Sequence, residues 1–231
     1  MTKVRELNAD WLRGIAKTAL IGCRRNGTLL DELEFRRHKA EHIPASRVLH
    51  IFKGICNGVA AFHHMQPVPY AHRDIKTGNV LLSGDDTAVL MDFGSAGPGR
   101  AEVQSGREAR ALQDEAAEHS TMPYRAPELF HLESGSVVSE ASDIWSLGCV
   151  LYALCFFRSP FDEVYEKGNS VALAVMAGHI QIPNTSPYPN GIHQLILNLL
   201  RVEPSERPTI NDLLANVDFL IQENSSVTQV L

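Results

Sequence analysis

The sequence lacks most of the features that assign a chain to a class at a glance. No apolar run approaches the roughly 20 residues that a bilayer-spanning helix needs. The longest, Trp145 to Phe157, covers 13 residues and is interrupted by Ser146 and Gly148, so it reads as a helix buried on all sides. Cysteine is scarce: Cys23, Cys56, Cys149 and Cys155 show no metal-ligand spacing, and the last two share one apolar stretch. That argues against a disulfide framework or a zinc module, and it implies buried reduced thiols in a cytoplasmic protein. No excess of basic charge exists, because 21 Lys and Arg face 27 Asp and Glu, for a net charge of -6. A nucleic-acid partner is therefore not expected. The N-terminus has no signal-peptide pattern, and Thr2 stands where N-myristoylation requires glycine, so no direct membrane anchor is expected. What remains is ordinary for a soluble domain with one sizeable core: 231 residues, 44% hydrophobic and 21% charged.

The informative stretch is His72 to Gly94. It reads His72-Arg73-Asp74-Ile75-Lys76-Thr77-Gly78-Asn79, an apolar run Val80-Leu81-Leu82, a turn Ser83-Gly84-Asp85-Asp86, a second run Ala88-Val89-Leu90-Met91, then Asp92-Phe93-Gly94. Two short strands joined by a Gly/Asp turn predict a hairpin, whose outer ends bring Asp74 and Asn79 to face Asp92. Phosphoryl transfer needs such a convergence: a residue to orient the attacking hydroxyl, hard oxygen ligands for a metal, and positive charge on the moving group. Asp74 suits the first role, Asn79 and Asp92 suit magnesium, and Lys76 reaches the phosphate. The alternative is a surface hairpin with two acidic ends.

H-R-D-x-K-x-x-N followed by D-F-G resembles the C-terminal lobe of a eukaryotic protein kinase. Lys76, two residues after Asp74, resembles the serine/threonine-specific form of the loop. Tyr124-Arg125-Ala126-Pro127-Glu128 is similar to the A-P-E end of an activation segment. Asp143 to Gly148 resembles the start of the lobe's central helix, and Pro204 to Pro208 the segment whose Arg207 pairs with the A-P-E Glu128. Stretches such as Met91-Asp92-Phe93-Gly94-Ser95, Trp145 to Ala153 and Lys167 to Val175 most resemble the Numb-associated kinase family, closest to its short acylated serine/threonine kinase. The resemblance implies ATP and magnesium as cofactors and a protein substrate. It implies Asp74, Lys76 and Thr121 as catalytic residues, and Lys76, Asn79, Leu81 and Asp92 as nucleotide- or metal-binding residues. Asp143 is implied as a structural support of the catalytic loop.

The resemblance covers residues 25–222. The N-terminal lobe of a kinase needs roughly 70 to 80 residues of strands and helix, so residues 1–24 stand in its place and 223–231 form a polar tail expected to fray. No G-x-G-x-x-G-x-V loop and no A-x-K strand is found. Two functions follow: a serine/threonine kinase, or an impaired kinase fragment acting as a binding module. Without the lobe that covers it, the surface near Leu81 and Phe93 is expected to favour self-association or a partner.

Along the rest of the chain, a short helix is expected from Trp11, Leu12, Ile15, Leu20 and Ile21. Others are expected over 28–37, 47–64, 144–157, capped by Ser142 or Asp143, over 170–177, and on the stripes Ile192 to Leu200 and Ile210 to Ile221. Ser105 to Glu108 has capping-box spacing ahead of helix formers, which predicts a solvated helix at 109–118; a disordered loop is the alternative. Ser120 or Thr121 could be a phosphorylation site facing Arg73. The fold class is thus mainly α, a kinase-like C-terminal lobe with a small β-hairpin.

Overall fold

The computed structural model describes residues 27–228. The short helix expected around Trp11 to Ile21, and Cys23, lie outside the described residues. Helix α1 (Leu29–Lys39) starts from a reciprocal cap: the Thr28 hydroxyl accepts from the Asp31 amide at 3.2 Å, and the Asp31 carboxylate accepts from the Thr28 amide at 2.7 Å. Helix α2 (Ala45–His63) carries the expected stripe, with Val48, Leu49, Ile51, Phe52, Ile55, Val59 and Phe62 all buried. Then come β1 (Tyr70–Ala71), a 3₁₀ turn over Thr77–Asn79, and the hairpin β2 (Val80–Leu82) and β3 (Ala88–Leu90). They are followed by β4 (Gly97–Pro98), β5 (Ala101–Glu102), α3 (Gly106–His119) and β6 (Val137–Val138). The chain continues with α4 (Ala141–Phe156), α5 (Asp162–Glu166), α6 (Val171–Ala177), α7 (Asn190–Leu199) and α8 (Ile210–Thr228).

The fold is mainly α. The strands form antiparallel pairs: β2 with β3, as the sequence predicts, and also β1 with β4 and β5 with β6. The last two pairs come in addition to the expected hairpin; two residues per strand are too few to show a period in sequence.

Helix α4 is the centre of the core. From Ser142 to Leu151 every residue is buried, and α4 packs against α7 and α2, while α2 packs chiefly against α8 and β3. Gly148 permits the close approach of α7 to α4, since a Cβ there would lie 2.9 Å from Leu199 Cβ and Leu200 Cδ2. Two expectations are corrected. The cap position of α4 is Glu140, with no side-chain bond, and Ser142 and Asp143 lie inside the first turn. Helix α8 runs on to Thr228, so 223–228 of the expected fraying tail are helical; Asn224 and Ser225 side chains donate back to the carbonyls of Leu220 and Ile221.

Candidate active site

The hairpin performs the expected convergence. Its ladder pairs Val80 with Leu90, and beyond that rung the Met91 amide donates to the Asn79 carbonyl at 2.9 Å. Asp92 is the next residue, so the end of one strand and the start of the other bring Asn79 and Asp92 together. Asp92 is exposed and adopts φ 61°, a left-handed backbone that Asp tolerates better than most residues. Leu81 is half-buried in the middle of β2, bridged to Thr28 at the start of α1.

Asp74 is 8% exposed and both of its carboxylate oxygens are held. Oδ1 accepts from the Thr121 amide at 2.9 Å and the Thr121 hydroxyl at 2.8 Å. Oδ2 lies 2.8 Å from Lys76 Nζ and accepts from Asn79 Nδ2 at 3.0 Å. Lys76 Nζ also donates to Thr121 Oγ1 at 2.7 Å, which closes a triangle of Asp74, Lys76 and Thr121 across 47 residues of chain. Burial alone would raise the Asp74 pKa, but the bonds from Lys76 and Thr121 outweigh it and hold the carboxyl below its usual value. The group is therefore ionised at neutral pH.

The loop that carries Asp74 is suspended from Asp143. Oδ2 of this fully buried carboxylate accepts from the His72 amide at 2.8 Å and pairs with His63 Nε2 at 3.0 Å, and Oδ1 accepts from the Arg73 amide at 2.9 Å. Its desolvation is likewise outweighed, first by the hydrogen bond from His63, so the pKa is lowered. His72 is fully buried; its Nδ1 accepts from the Asp74 amide at 3.3 Å and its Nε2 meets the Met91 carbonyl at 3.2 Å, which ties the loop to the start of the Asp92 segment. Burial lowers the His72 pKa, so the ring is neutral. The Phe93 ring completes the layer, 5.2 Å from Phe62 and 5.7 Å from His72.

Helix α3 exists as predicted, with Ser105 as cap. It meets the loop through Arg73, whose backbone is left-handed at φ 69°. Arg73 Nη1 donates to Glu115 at 2.8 Å and Nη2 to the Pro98 carbonyl at 2.9 Å. Gly97 leaves room for this guanidinium, since a Cβ there would lie 2.8 Å from Nη1. Sequence reasoning missed Glu115, because it lies 42 residues from Arg73 on a face with no apolar period to orient it. It also missed His63, although its place at the end of a predicted helix just before the loop was the available signal. Farther out, Arg207 clasps Glu128 with two bonds of 2.8 and 2.7 Å, as the resemblance implies.

The donor set fits a hard cation taken together with phosphate. Asn79 directs Nδ2 to the Asp74 carbonyl and carboxylate, which leaves its amide oxygen as the acceptor end. The Asp92 carboxylate takes only a long bond of 3.4 Å from the Gly94 amide. Among the described residues no group of three His, Cys, Asp or Glu forms a metal site of its own. One carboxylate and one amide oxygen suit magnesium only when phosphate oxygens and water supply the remaining ligands.

Residues 20–219 match the protein kinase domain. The chain belongs to that family. Over 196 residues it is 41% identical to serine/threonine-protein kinase 16 of Rattus norvegicus and of Homo sapiens, a span covering 85% of this chain and 63% of each relative. It is also 41% identical over 157 residues to serine/threonine-protein kinase ppk13 of Schizosaccharomyces pombe, 68% of this chain and 46% of that one. The chain thus spans about 63% of the length of the first two relatives over the matched region. Kinases of the family generally use ATP and magnesium, and act on proteins.

Proposed function

We propose that this chain carries the catalytic-loop half of a serine/threonine protein kinase, of the Numb-associated group, that transfers the terminal phosphoryl of ATP to a protein hydroxyl. The observation that carries the reading is the closed Asp74–Lys76–Thr121 triangle with Asn79 on the same carboxylate. Asp74, kept ionised by its donors, would orient the attacking hydroxyl and accept its proton. Lys76, already at the carboxylate, brings positive charge to the phosphoryl, and Thr121 holds both groups at fixed spacing. Asn79 Oδ1 and Asp92 would hold magnesium, which when bound neutralises the phosphate charge. The Numb-associated assignment is supported by the residues around Met91 to Ser95, Trp145 to Ala153 and Lys167 to Val175.

The reading includes a division of labour. In this reading the described residues make up the lower lobe, and the sequence shows no glycine-rich loop or A-x-K strand of the kind that positions ATP. The chain alone therefore binds ATP weakly and turns over little. Leu30 and Phe35 on α1 are exposed, and Leu81 and Phe93 are only half covered, which supports cover by a second protein surface. A cytoplasmic setting is part of the proposal, supported by the buried free thiols of Cys56, Cys149 and Cys155.

The test is a fusion that places the N-terminal lobe of serine/threonine-protein kinase 16 ahead of residue 25. Transfer of phosphate from Mg-ATP to a protein substrate, lost in both Asp74→Asn and Asp92→Asn, is the expected result. A folded fusion that binds Mg-ATP yet transfers nothing would favour the second reading, a binding module.

A further inference from the structure

The hairpin that carries Asn79 and Asp92 is seated on α2 through β3, and the seat is smooth. Gly54 and Gly58 lie on one face of α2, four residues apart. A Cβ on the first would come 3.2 Å from Ala88 Cβ, and one on the second 3.3 Å from Leu90 Cβ. Ala88 and Leu90, two residues apart, share one face of β3. Apolar contact of this kind is non-directional, so it holds the strand down without fixing its place along the helix.

The directional contact comes one step further along the same row. Arg47 precedes Gly54 by two helical turns, and Asp86 precedes Ala88 by two residues, in the turn of the hairpin. Arg47 Nε donates to Asp86 Oδ2 at 2.8 Å and Nη2 to Oδ1 at 2.7 Å, a two-pronged pair that fixes angle as well as distance. Nη1 donates to Glu32 Oε1 of α1 at 2.8 Å, and Arg36 Nε reaches the same oxygen at 2.7 Å. None of these four side chains is more than 29% exposed, so the network is better shielded than an ordinary surface pair. The bonds from Arg47 hold the Asp86 carboxyl below its usual value, so the pair is ionised at neutral pH. The other strand is tied to the start of α1 independently: the Leu82 amide donates to the Gly27 carbonyl at 3.2 Å, and Leu81 is bridged to Thr28.

We propose that Arg47 is a positioning residue for phosphoryl transfer: its fork on Asp86 sets where β3 lies along α2 and, through the three paired positions of the hairpin, where Asp92 stands against Asn79. The proposal rests on the reading of Asn79 and Asp92 as magnesium ligands. Groups that hold ligands in place without touching the metal are commonly worth about 10–100-fold in affinity or activity. Arg47 fits that role because it acts at the turn of the hairpin, the end opposite the two ligands.

Two measurements test it. Amide NMR spectra of the full 231-residue chain read the hairpin without ligand or activity. In Arg47→Gln the resonances of Asn79, Met91 and Asp92 are expected to move while those of the buried part of α4 stay. In the fusion that carries the N-terminal lobe of serine/threonine-protein kinase 16, the same substitution should lower kcat/KM for Mg-ATP about 10–100-fold. It should also raise the magnesium concentration at half-maximal rate and leave KM for the protein substrate unchanged. Arg47→Lys, which keeps the charge and loses the fork, should fall between. Asp86→Asn should match Arg47→Gln, and the double variant should be no worse than either. Resonance changes confined to the neighbours of Arg47 would overturn the proposal, and so would a lower melting temperature with unchanged magnesium dependence. If the unsubstituted fusion transfers no phosphate, the reading of the site fails instead, and the spectra still decide whether Arg47 sets the hairpin.

Discussion

Asp74 and Asp143 are both acidic groups stabilised as anions by their neighbours, and that shared chemistry makes the loop sensitive to two kinds of change. Thr121→Val removes a donor from Asp74 and an acceptor from Lys76 while keeping the side chain's volume. It should cost about 1–3 kcal/mol in urea unfolding, with Thr121→Ser costing less. The second change is pH. His72 is buried neutral with a lowered pKa, so the unfolded chain takes up its proton first, and stability begins to fall as pH drops below about 6.5. Asp74 and Asp143 also have lowered values, so their contribution is present above about 3.9 and is lost as pH falls through their folded-state pKa. Urea midpoints followed from neutral to acid pH should show both declines, and Asp143→Asn should flatten the acid one. A midpoint independent of pH over this range would contradict the assignment of these charges. The identity of these residues was legible because H-R-D-x-K-x-x-N and D-F-G are short motifs with fixed roles. Their partners Glu115 and His63 were not, since a contact over 42 or 80 residues leaves no local pattern.

Among the helices, α4 is closely packed at Gly148. Gly148→Ala would push a Cβ to 2.9 Å from Leu199 Cβ, an atom that cannot swing away without moving α7. The substitution should cost about 1–3 kcal/mol, whereas Gly106→Ala, at a site with open space, should change stability little; thermal melts of the two variants check this. The long elements were legible from their stripes: α2 was expected over 47–64 and forms over Ala45–His63, and α3 was found from a cap and a run of helix formers. The misses have a common cause. Strands of two residues, such as β1 and β6, are defined by their partner strands and carry no period. The start of α4 was misjudged because Asp143 looks like a cap in sequence, while its carboxylate turns away from its own helix to the amides of His72 and Arg73.

The described residues pack into a main core around α4 and α2 and a smaller cluster of Val103, Ala109, Leu132 and Val138, and the main core carries the Asp74 loop and the β2–β3 hairpin. Among the described residues, Trp145 Nε1 is a buried side-chain donor without a hydrogen-bond partner. The claim tested most directly is that Asp74, Asn79 and Asp92 are arranged for Mg-ATP but hold it weakly alone. Isothermal calorimetry of the purified 231-residue chain with ATP and magnesium, beside Asp92→Asn, decides it. Weak or undetectable binding by a cooperatively folded chain is the predicted result. Tight, magnesium-dependent binding that disappears in Asp92→Asn would contradict it, because the chain would then supply the upper wall itself.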